Sequence, residues 1–268
     1  MTKFNASIII PICNQYASLC YVLNGFKAQS VDMNSYELVI IDDGSVDQLS
    51  EISSRDLHLQ YNLNINLLHQ NNMGRAHARN TGAMNAHAEY LIFCDGDRIP
   101  HVSFIEEHLK YSQSKCVLIG DAYDYYGPVS VFEKETILYS EVKKMSRIPY
   151  YYKKIERLYS SSYKQYSWLS FLVGNSSISK DLLIQCGGFD EKFVEWGFEH
   201  FELGYRLYKQ GIEFRRNPNA MSFHLPHSRE NGFYIQHIMS SIDYICKKHP
   251  DISKDFLEKF FNVKGELK

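Results

Sequence analysis

Two acidic residues separated by a glycine, Asp95-Gly96-Asp97, directly follow the apolar run from Glu89 to Cys94. A run of that length and composition predicts a buried strand, so both carboxylates arrive at the carboxyl end of a sheet, where open α/β folds bind ligands. Carboxylates this close repel each other unless a cation or hydrogen-bond donors share the site. We therefore expect a divalent metal that holds a diphosphate; an ordinary surface turn is the alternative for this motif taken alone.

A second acidic pair, Asp42-Asp43, follows the apolar segment from Glu37 to Ile41 and precedes Gly44. A carboxylate at this strand end can accept a hydrogen bond from the imide N–H of a uracil ring. The glycine lets the backbone turn immediately afterwards. The alternative for this segment taken alone is a helix-capping turn without a ligand.

A glycine followed by two arginines marks the start of a predicted helix from Ala76 to His87. Arg75 and Arg79 stand four positions apart, on one face of that helix, and Gly74 precedes them. A guanidinium group can donate two hydrogen bonds to the oxygens of one phosphate, so this face of the helix suits a diphosphate. A solvated basic face is the alternative.

An aromatic and acidic group, which includes Trp196 and Glu199, opens a predicted helix that ends near Gln210. Glu199 could abstract a proton from an acceptor hydroxyl, although an acidic residue is also favoured there by the helix dipole. The neighbouring His200 should point about 100° away around the helix, so we do not expect both groups to face one acceptor atom. Farther on, His224 ends an apolar segment and is a candidate metal ligand or a structural histidine.

Short apolar segments alternate with helical patterns through the first hundred residues. This alternation predicts an α/β fold with a single doubly wound, mostly parallel sheet flanked by helices. Ser103 and Glu106 suggest a capping box for a further helix that ends near Ser114. The predicted strands are Ser7 to Ile10, Glu37 to Ile41, Ile65 to Leu68, Glu89 to Cys94 and Val117 to Gly120, and the other predicted helices are Tyr16 to Gln29, Ala76 to His87, Lys180 to Gln185, Glu199 to Gln210 and Ile252 to Phe261.

The composition is that of an ordinary globular chain: 268 residues, 44% hydrophobic and 22% charged. The net charge of −2 gives no sign of nucleic-acid binding. We expect no transmembrane segment, because no apolar run approaches the roughly 18–20 residues that a bilayer needs. The six cysteines are scattered without a CxxC pair, so we expect free thiols and a cytoplasmic protein.

Taken together, these segments resemble family 2 glycosyltransferases of the GT-A fold, over nearly the whole chain. The later segments resemble the galactosyltransferase-type module of chondroitin-polymerase and polypeptide N-acetylgalactosaminyltransferase relatives. Each string is common singly, but their order and spacing are specific. The strings are Ile8-Ile9-Ile10-Pro11-Ile12-Cys13-Asn14, Val39-Ile40-Ile41-Asp42-Asp43-Gly44-Ser45, Gly74 through Gly82, Asp95-Gly96-Asp97, Gly174-Asn175-Ser176-Ser177-Ile178, Gly187-Gly188-Phe189-Asp190-Glu191 and Trp196-Gly197-Phe198-Glu199.

The resemblance implies a metal-dependent transfer of a hexose or an N-acetylhexosamine from a UDP-sugar to an acceptor nucleophile, with inversion. It implies that Asp97 and His224 bind the metal, with His227 as a rival histidine. Mn²⁺ is the expected ion, and Mg²⁺ stays open. It further implies one GT-A domain over residues 1–240, with a nucleotide-binding half (1–100) and an acceptor half (101–240), followed by a helical tail (241–268). The donor would be held by Pro11, Asn14, Asp42, Asp43, Arg75, Arg79, Asp95, Gly96 and Trp196.

One departure from the family pattern concerns the catalytic base. Many relatives have Glu-Asp after the WG motif, with the Asp as base, whereas this chain has Glu199-His200. Either residue could take the role, and Glu199 is favoured because the resemblance puts it close to the sugar and the acceptor. Alternatively, the acceptor is activated differently, or the chain is a catalytically degenerate binding subunit. A sugar nucleotidyltransferase is disfavoured, because the segment from Pro11 to Gln15 lacks the glycines of a phosphate loop.

The acceptor is not identified by these motifs: a glycan, a lipid-linked sugar, a peptide or a natural product all fit. The tyrosine-rich stretch from Tyr123 to Trp168 is expected to shape the acceptor pocket, since aromatic faces pack against sugars. The alternative is that these tyrosines pack an irregular lobe or a dimer contact. Peripheral membrane contact and the oligomeric state are left open.

Overall fold

The computed structural model describes residues 4–159, 161–193, 197–225 and 233–262, and its centre is one mixed, mostly parallel sheet. The strands are β1 (Ala6–Ile12), β2 (Tyr36–Asp43), β3 (Ile65–Gln70), β4 (Tyr90–Cys94), β5 (Arg98–Pro100), β6 (Cys116–Tyr125), β7 (Ser146–Arg147), β8 (Asn175–Ser179) and β9 (Glu213–His224). Eight of them lie in the order β3-β2-β1-β4-β8-β6-β9-β5, and β7 pairs with β6.

Strands β1 to β4 form a parallel block whose carboxyl ends meet at one edge. The direction changes at β8, which is antiparallel to both β4 and β6. The parallel pairing of β6 with β9 then extends the sheet. The predicted fold class, a doubly wound and mostly parallel α/β sheet, is confirmed.

Helices cover both faces of the sheet, because successive side chains of a strand point to opposite sides. Ile9 and Val39 belong to one apolar core, while Ile8 and Leu38 belong to the other. The helices are α1 (Tyr16–Lys27), α2 (Ser54–Tyr61), α3 (Arg75–Asn85), α4 (Phe104–Leu109), α5 (Tyr139–Lys144), α6 (Tyr150–Glu156), α7 (Lys180–Gln185), α8 (Glu199–Lys209), α9 (Phe233–Lys248) and α10 (Lys254–Phe260). In the described ranges, none of them is long and apolar enough to cross a membrane.

The amide of Asn175 ties the sheet together where its direction changes. Its Nδ2 donates to the carbonyls of Asp121 and Ala220 at 3.0 and 2.9 Å. Beside it, the pairing of β6 with β9 jumps: Gly120 lies opposite Asn217, but the next residue, Asp121, lies opposite Met221. This bulge in β9 sets which residues occupy the far end of the strand.

Several sequence predictions about elements require correction. The capping box at Ser103 does not form, because the Ser103 hydroxyl contacts the ring of His101 at 2.9 Å and Glu106 accepts from Ser30 instead. Helix α4 accordingly ends at Leu109, short of the predicted Ser114. Strand β6 continues to Tyr125, beyond the predicted end at Gly120. Helices α2 and α9 were not predicted, and α9 runs across position 240, the predicted boundary between domain and tail.

Candidate active site

A pocket opens at the carboxyl ends of β1, β2 and β4, where the parallel block of the sheet ends. Parallel strands deliver the residues that follow them to this common edge. The pocket therefore collects residues that are far apart in the sequence. Its lining is Pro11, Ile12, Cys13, Gln15, Asp43, Arg75, Ala78, Asp95, Gly96, Asp97, Arg98 and His224.

The two acids of the Asp95-Gly96-Asp97 motif have different partners. Asp95 accepts from Arg79 Nη2 at 3.0 Å and lies 3.4 Å from Arg98 Nε. Burial raises the pKa of Asp95, but the two guanidinium groups outweigh this and hold it below its usual range. Gly174 permits the approach, since a Cβ there would lie 2.1 Å from Asp95 Oδ2. Asp95 is thus fixed as an anion by arginines.

Asp97 faces His224 across the pocket. The His224 Nε2 atom lies 3.6 Å from Asp97 Oδ2, and its Nδ1 lies 2.9 Å from Asp124 Oδ1. The Nδ1 contact with Asp124 leaves Nε2 as the ring nitrogen that faces Asp97. Asp124 therefore positions the ring, a role that the sequence analysis missed because the predicted strand stopped at Gly120.

The Asp97 and His224 pair fits a metal by the chemistry of its donors, a carboxylate oxygen and an imidazole nitrogen. Among the described residues, no three His, Cys, Asp or Glu side chains gather into a metal site. The two protein ligands would therefore need oxygens from a bound phosphate or from water to complete a coordination shell.

Arg79, which the sequence placed near a diphosphate, is buried beneath the pocket. Its side chain is 2% exposed, and its Nη1 donates to Glu199 Oε1 at 2.6 Å while Nη2 holds Asp95. The arginine that lines the pocket on this helix is Arg75, at the first turn of α3. Arg98 is a second pocket arginine, which the sequence analysis missed although it directly follows Asp97.

Glu199 and His200 open helix α8 after a left-handed residue, Phe198, with φ of 71°. Contrary to the expected divergence of about 100°, the two side chains meet: His200 Nδ1 lies 3.4 Å from Glu199 Oε1. Burial raises the pKa of Glu199, but His200 and Arg79 outweigh it and hold the pKa well below the usual range. Glu199 is therefore an anion with little affinity for a proton.

The Asp42-Asp43 turn divides its two carboxylates between structure and pocket. Asp42 is buried and accepts from the Ser45 N–H and from His69. Asp43 lines the pocket and accepts from the N–H groups of Met73 and Gly74 at 2.8 and 2.9 Å. It thereby joins this turn to the start of α3.

Pro11 and Asn14, both expected to bind the donor, lie in different places. Pro11 lines the pocket, as the sequence analysis expected of a donor-binding residue. The side chain of Asn14 instead accepts from the Val46 N–H at 2.8 Å, so it holds the loop after β1 against the turn after β2. Trp196 and His227 lie outside the described residues.

Comparison with known proteins finds glycosyltransferases. The chain is 29% identical over 270 residues to a validoxylamine A glucosyltransferase of Streptomyces hygroscopicus subsp. jinggangensis, covering 92% of this chain and 61% of the relative. It is 25% identical to a chondroitin synthase of Escherichia coli, covering 94% of this chain and 40% of the relative. The chain thus spans about three fifths or less of these two relatives.

Solved structures show the same fold. The structure of S. aureus TarS in complex with UDP-GlcNAc superposes with a TM-score of 0.65 at 17% identity, covering 98% of this chain and 73% of that one. A mannosyltransferase from Pyrobaculum calidifontis, in complex with GDP-Man and Mn²⁺, gives a TM-score of 0.62 at 14% identity, covering 98% and 69%. The expected GT-A fold is confirmed.

Two family profiles match the sequence. The profile described as N-terminal domain of galactosyltransferase covers residues 153–228, in agreement with the resemblance of the later segments. The profile of Glycosyl transferase family 2 covers residues 7–181, more than half of the chain. With the fold and the order of its motifs in agreement, the chain belongs to glycosyl transferase family 2.

Proposed function

We propose that this chain catalyses the metal-dependent transfer of a hexose or an N-acetylhexosamine from a UDP-sugar to an acceptor nucleophile, with inversion. The observation that carries the proposal is the convergence of Asp43, Arg75, Asp95, Asp97 and His224 around one pocket at the carboxyl edge of the sheet. The names of the glucosyltransferase and chondroitin synthase relatives, and the UDP-GlcNAc complex of TarS, support a nucleotide-sugar donor.

In this proposal the uracil ring lies between Pro11 and Asp43, with the Asp43 carboxylate accepting the imide N–H. Arg75 is exposed at the first turn of α3, where its guanidinium and the positive end of the helix both favour a diphosphate. Asp97 and His224 would hold Mn²⁺, or Mg²⁺. The ion, when bound, supplies Lewis-acid stabilisation of the diphosphate leaving group.

We place the acceptor base at His200 and assign Glu199 to its support, which reverses the preference of the sequence analysis. Glu199 is held as an anion by Arg79, so it is a weak base. The Glu199 carboxylate lies 3.4 Å from the Nδ1 of His200 without a hydrogen bond between them, and its negative charge would stabilise the imidazolium that forms when the ring accepts a proton. His200 would thus take the proton of the acceptor nucleophile as the glycosidic bond to UDP breaks.

The direct test is release of UDP from UDP-glucose and UDP-GlcNAc with and without Mn²⁺, followed by mass-spectrometric screening of acceptors. Asp97→Asn and His224→Ala should each lower Mn²⁺-dependent turnover by at least 100-fold. Asp255→Asn is the matched control, because Asp255 is exposed on α10. Unchanged Mn²⁺-dependent turnover in both site variants would refute this pair of ligands.

The paired state of Glu199 also favours a second candidate, a catalytically degenerate subunit that binds nucleotide sugars without transferring them. That protein would bind UDP with Mn²⁺ in calorimetry, yet release no UDP from any donor even with a full acceptor screen. Measured turnover would exclude it. A nucleotidyltransferase would instead make a nucleotide sugar from a sugar phosphate and UTP, which mass spectrometry detects once those two substrates are supplied.

A further inference from the structure

The short strand β7 extends the sheet next to the candidate active site. Arg147 of β7 lies opposite Asp124 of β6, the residue that positions His224. The pairing continues one step farther, since the Tyr126 N–H donates to the Met145 carbonyl at 3.0 Å. The segment from Tyr126 to Arg147 thus begins two residues beyond Asp124, the partner of the pocket residue His224.

The side chains of Asp124, Tyr126 and Arg147 share one face of this edge. Alternate residues of an extended chain point to the same side, and so do residues directly opposite each other on paired strands. The contact agrees: the guanidinium carbon of Arg147 lies 5.9 Å from the centre of the Tyr126 ring. Tyr126 stands two residues beyond Asp124, about 7 Å along the strand.

A shallow cavity lies on this edge, lined by Tyr126, Lys144, Met145, Ser146 and Arg147. The Tyr126 side chain is 63% exposed, which is high for a large aromatic residue. Among the described residues, no carboxylate forms an ion pair with Lys144 or Arg147. The cavity therefore combines an exposed aromatic ring with two exposed cations that have no acidic partner within the described residues.

The surrounding sequence is basic, whereas the whole chain is slightly acidic. Between positions 143 and 157, six of the fifteen residues are Lys or Arg and one is acidic, in a chain of net charge −2. A local excess of this size attracts anionic ligands.

We propose that this cavity binds an acid-bearing sugar unit of a glycan acceptor, with Tyr126 packed against the sugar ring and Lys144 and Arg147 bound to its carboxylate or phosphate. The inference rests on the proposed function, and it narrows the acceptor to an anionic glycan. A concave site with an aromatic floor suits one sugar unit. An anionic membrane would instead favour a protruding apolar surface.

The test measures binding of a galacturonic acid hexamer by calorimetry, against the same hexamer with its carboxylates methyl-esterified. The acid form should bind at least tenfold more tightly, and its affinity should fall as salt rises. The double variant Lys144→Ala/Arg147→Ala should lose at least tenfold of this affinity, and Tyr126→Ala should weaken it severalfold. Lys27→Ala, an exposed lysine on α1, should bind like the parent.

Equal binding of the two hexamers, or unchanged binding by the double variant, would overturn the proposal, as would affinity only for phosphatidylglycerol vesicles. UDP binding with Mn²⁺ is measured on the same samples. A double variant that binds UDP normally but loses the hexamer supports this site. A protein that binds the hexamer yet neither binds nor hydrolyses a UDP-sugar would contradict the proposed function and leave the anion site intact.

Discussion

Replacing Arg79 with methionine should destabilise the fold through a single buried carboxylate. Arg79 is 2% exposed and neutralises two acids, Glu199 at 2.6 Å and Asp95 at 3.0 Å. In the variant, Asp95 keeps its contact with Arg98 and is 28% exposed, so the loss of Arg79 is partly compensated at Asp95. Glu199 is 4% exposed, and among the described residues its remaining ion-pair partner is the ring of His200 at 3.4 Å. The cost therefore falls mainly on Glu199.

Removing one partner of a buried ion pair costs about 3–5 kcal/mol. For a chain of this size that lowers Tm by about 6–20 °C. The double variant Arg79→Met/Glu199→Gln carries no stranded charge and should regain at least half of the loss. Urea unfolding of the parent, the two single variants and the double variant gives the coupling free energy directly. Arg55→Met is the matched control, because Arg55 is exposed on α2.

The pH dependence gives an independent check with a definite sign. In the parent, the lowered pKa of Glu199 contributes stability above its unfolded pKa, and this is lost as the pH falls. In Arg79→Met, burial without the guanidinium should raise the pKa of Glu199, so acid relieves the penalty. The stability gap between the two proteins should therefore narrow from pH 7 to pH 4. A gap below about 1 kcal/mol at pH 7, or one that widens in acid, would refute the reasoning.

Three further outcomes are expected. Asp43→Asn should weaken UDP binding by about 1–3 kcal/mol in calorimetry, because an amide cannot accept all the N–H donors that reach this carboxylate; unchanged affinity would remove Asp43 from the uracil site. His200→Asn should lower kcat by about 10²–10⁴-fold with donor binding intact; a mild effect beside a collapse in Glu199→Gln would return the base to Glu199. Burial lowers the pKa of His108 to about 4, so the free energy of unfolding should fall by up to about 3 kcal/mol as the pH falls from about 6.5 to about 4. In His108→Gln, urea unfolding at a series of pH values should show a smaller decrease over this range, and an unchanged decrease would contradict the prediction.

The parallel half of the fold follows from sequence because its signals are local. Strands β2 and β4 each contain a continuous apolar run, Leu38 to Ile41 and Tyr90 to Cys94, and the acids that could bind a ligand follow each run directly. The carboxyl-edge rule alone then brings Asp43 and Asp97 to one pocket. The same rule could not predict the position of the Arg79 side chain. Helical spacing shows on which face of the helix Arg79 lies, but not which acidic residues bind its guanidinium.

The part of the sheet beyond β4 was harder to predict from the sequence, because its strands contain buried polar residues. Asp121 is buried within β6, where Arg216 pairs with both of its oxygens. A charged residue at that position looks like the end of a strand, so the sequence analysis stopped β6 at Gly120. Asp124 was lost with the rest of the strand. The contact between Glu199 and His200 was likewise beyond sequence, because it depends on the rotamers of two adjacent residues.

Because of the bulge in β9, the length of that strand alone does not determine which residue of β6 its last residue faces. Gly120 pairs with Asn217 and Asp121 with Met221, so three residues of β9 lie outside the ladder, and the Asn175 amide binds the carbonyl of one of them, Ala220. The jump changes the register of β9 by three residues: without it, continued pairing from Gly120 and Asn217 would put Met221 opposite Asp124. The three extra residues put His224 there instead. The bulge therefore decides which residue of β9 faces Asp124, and the strand partner locates this histidine better than a count of residues along the strand.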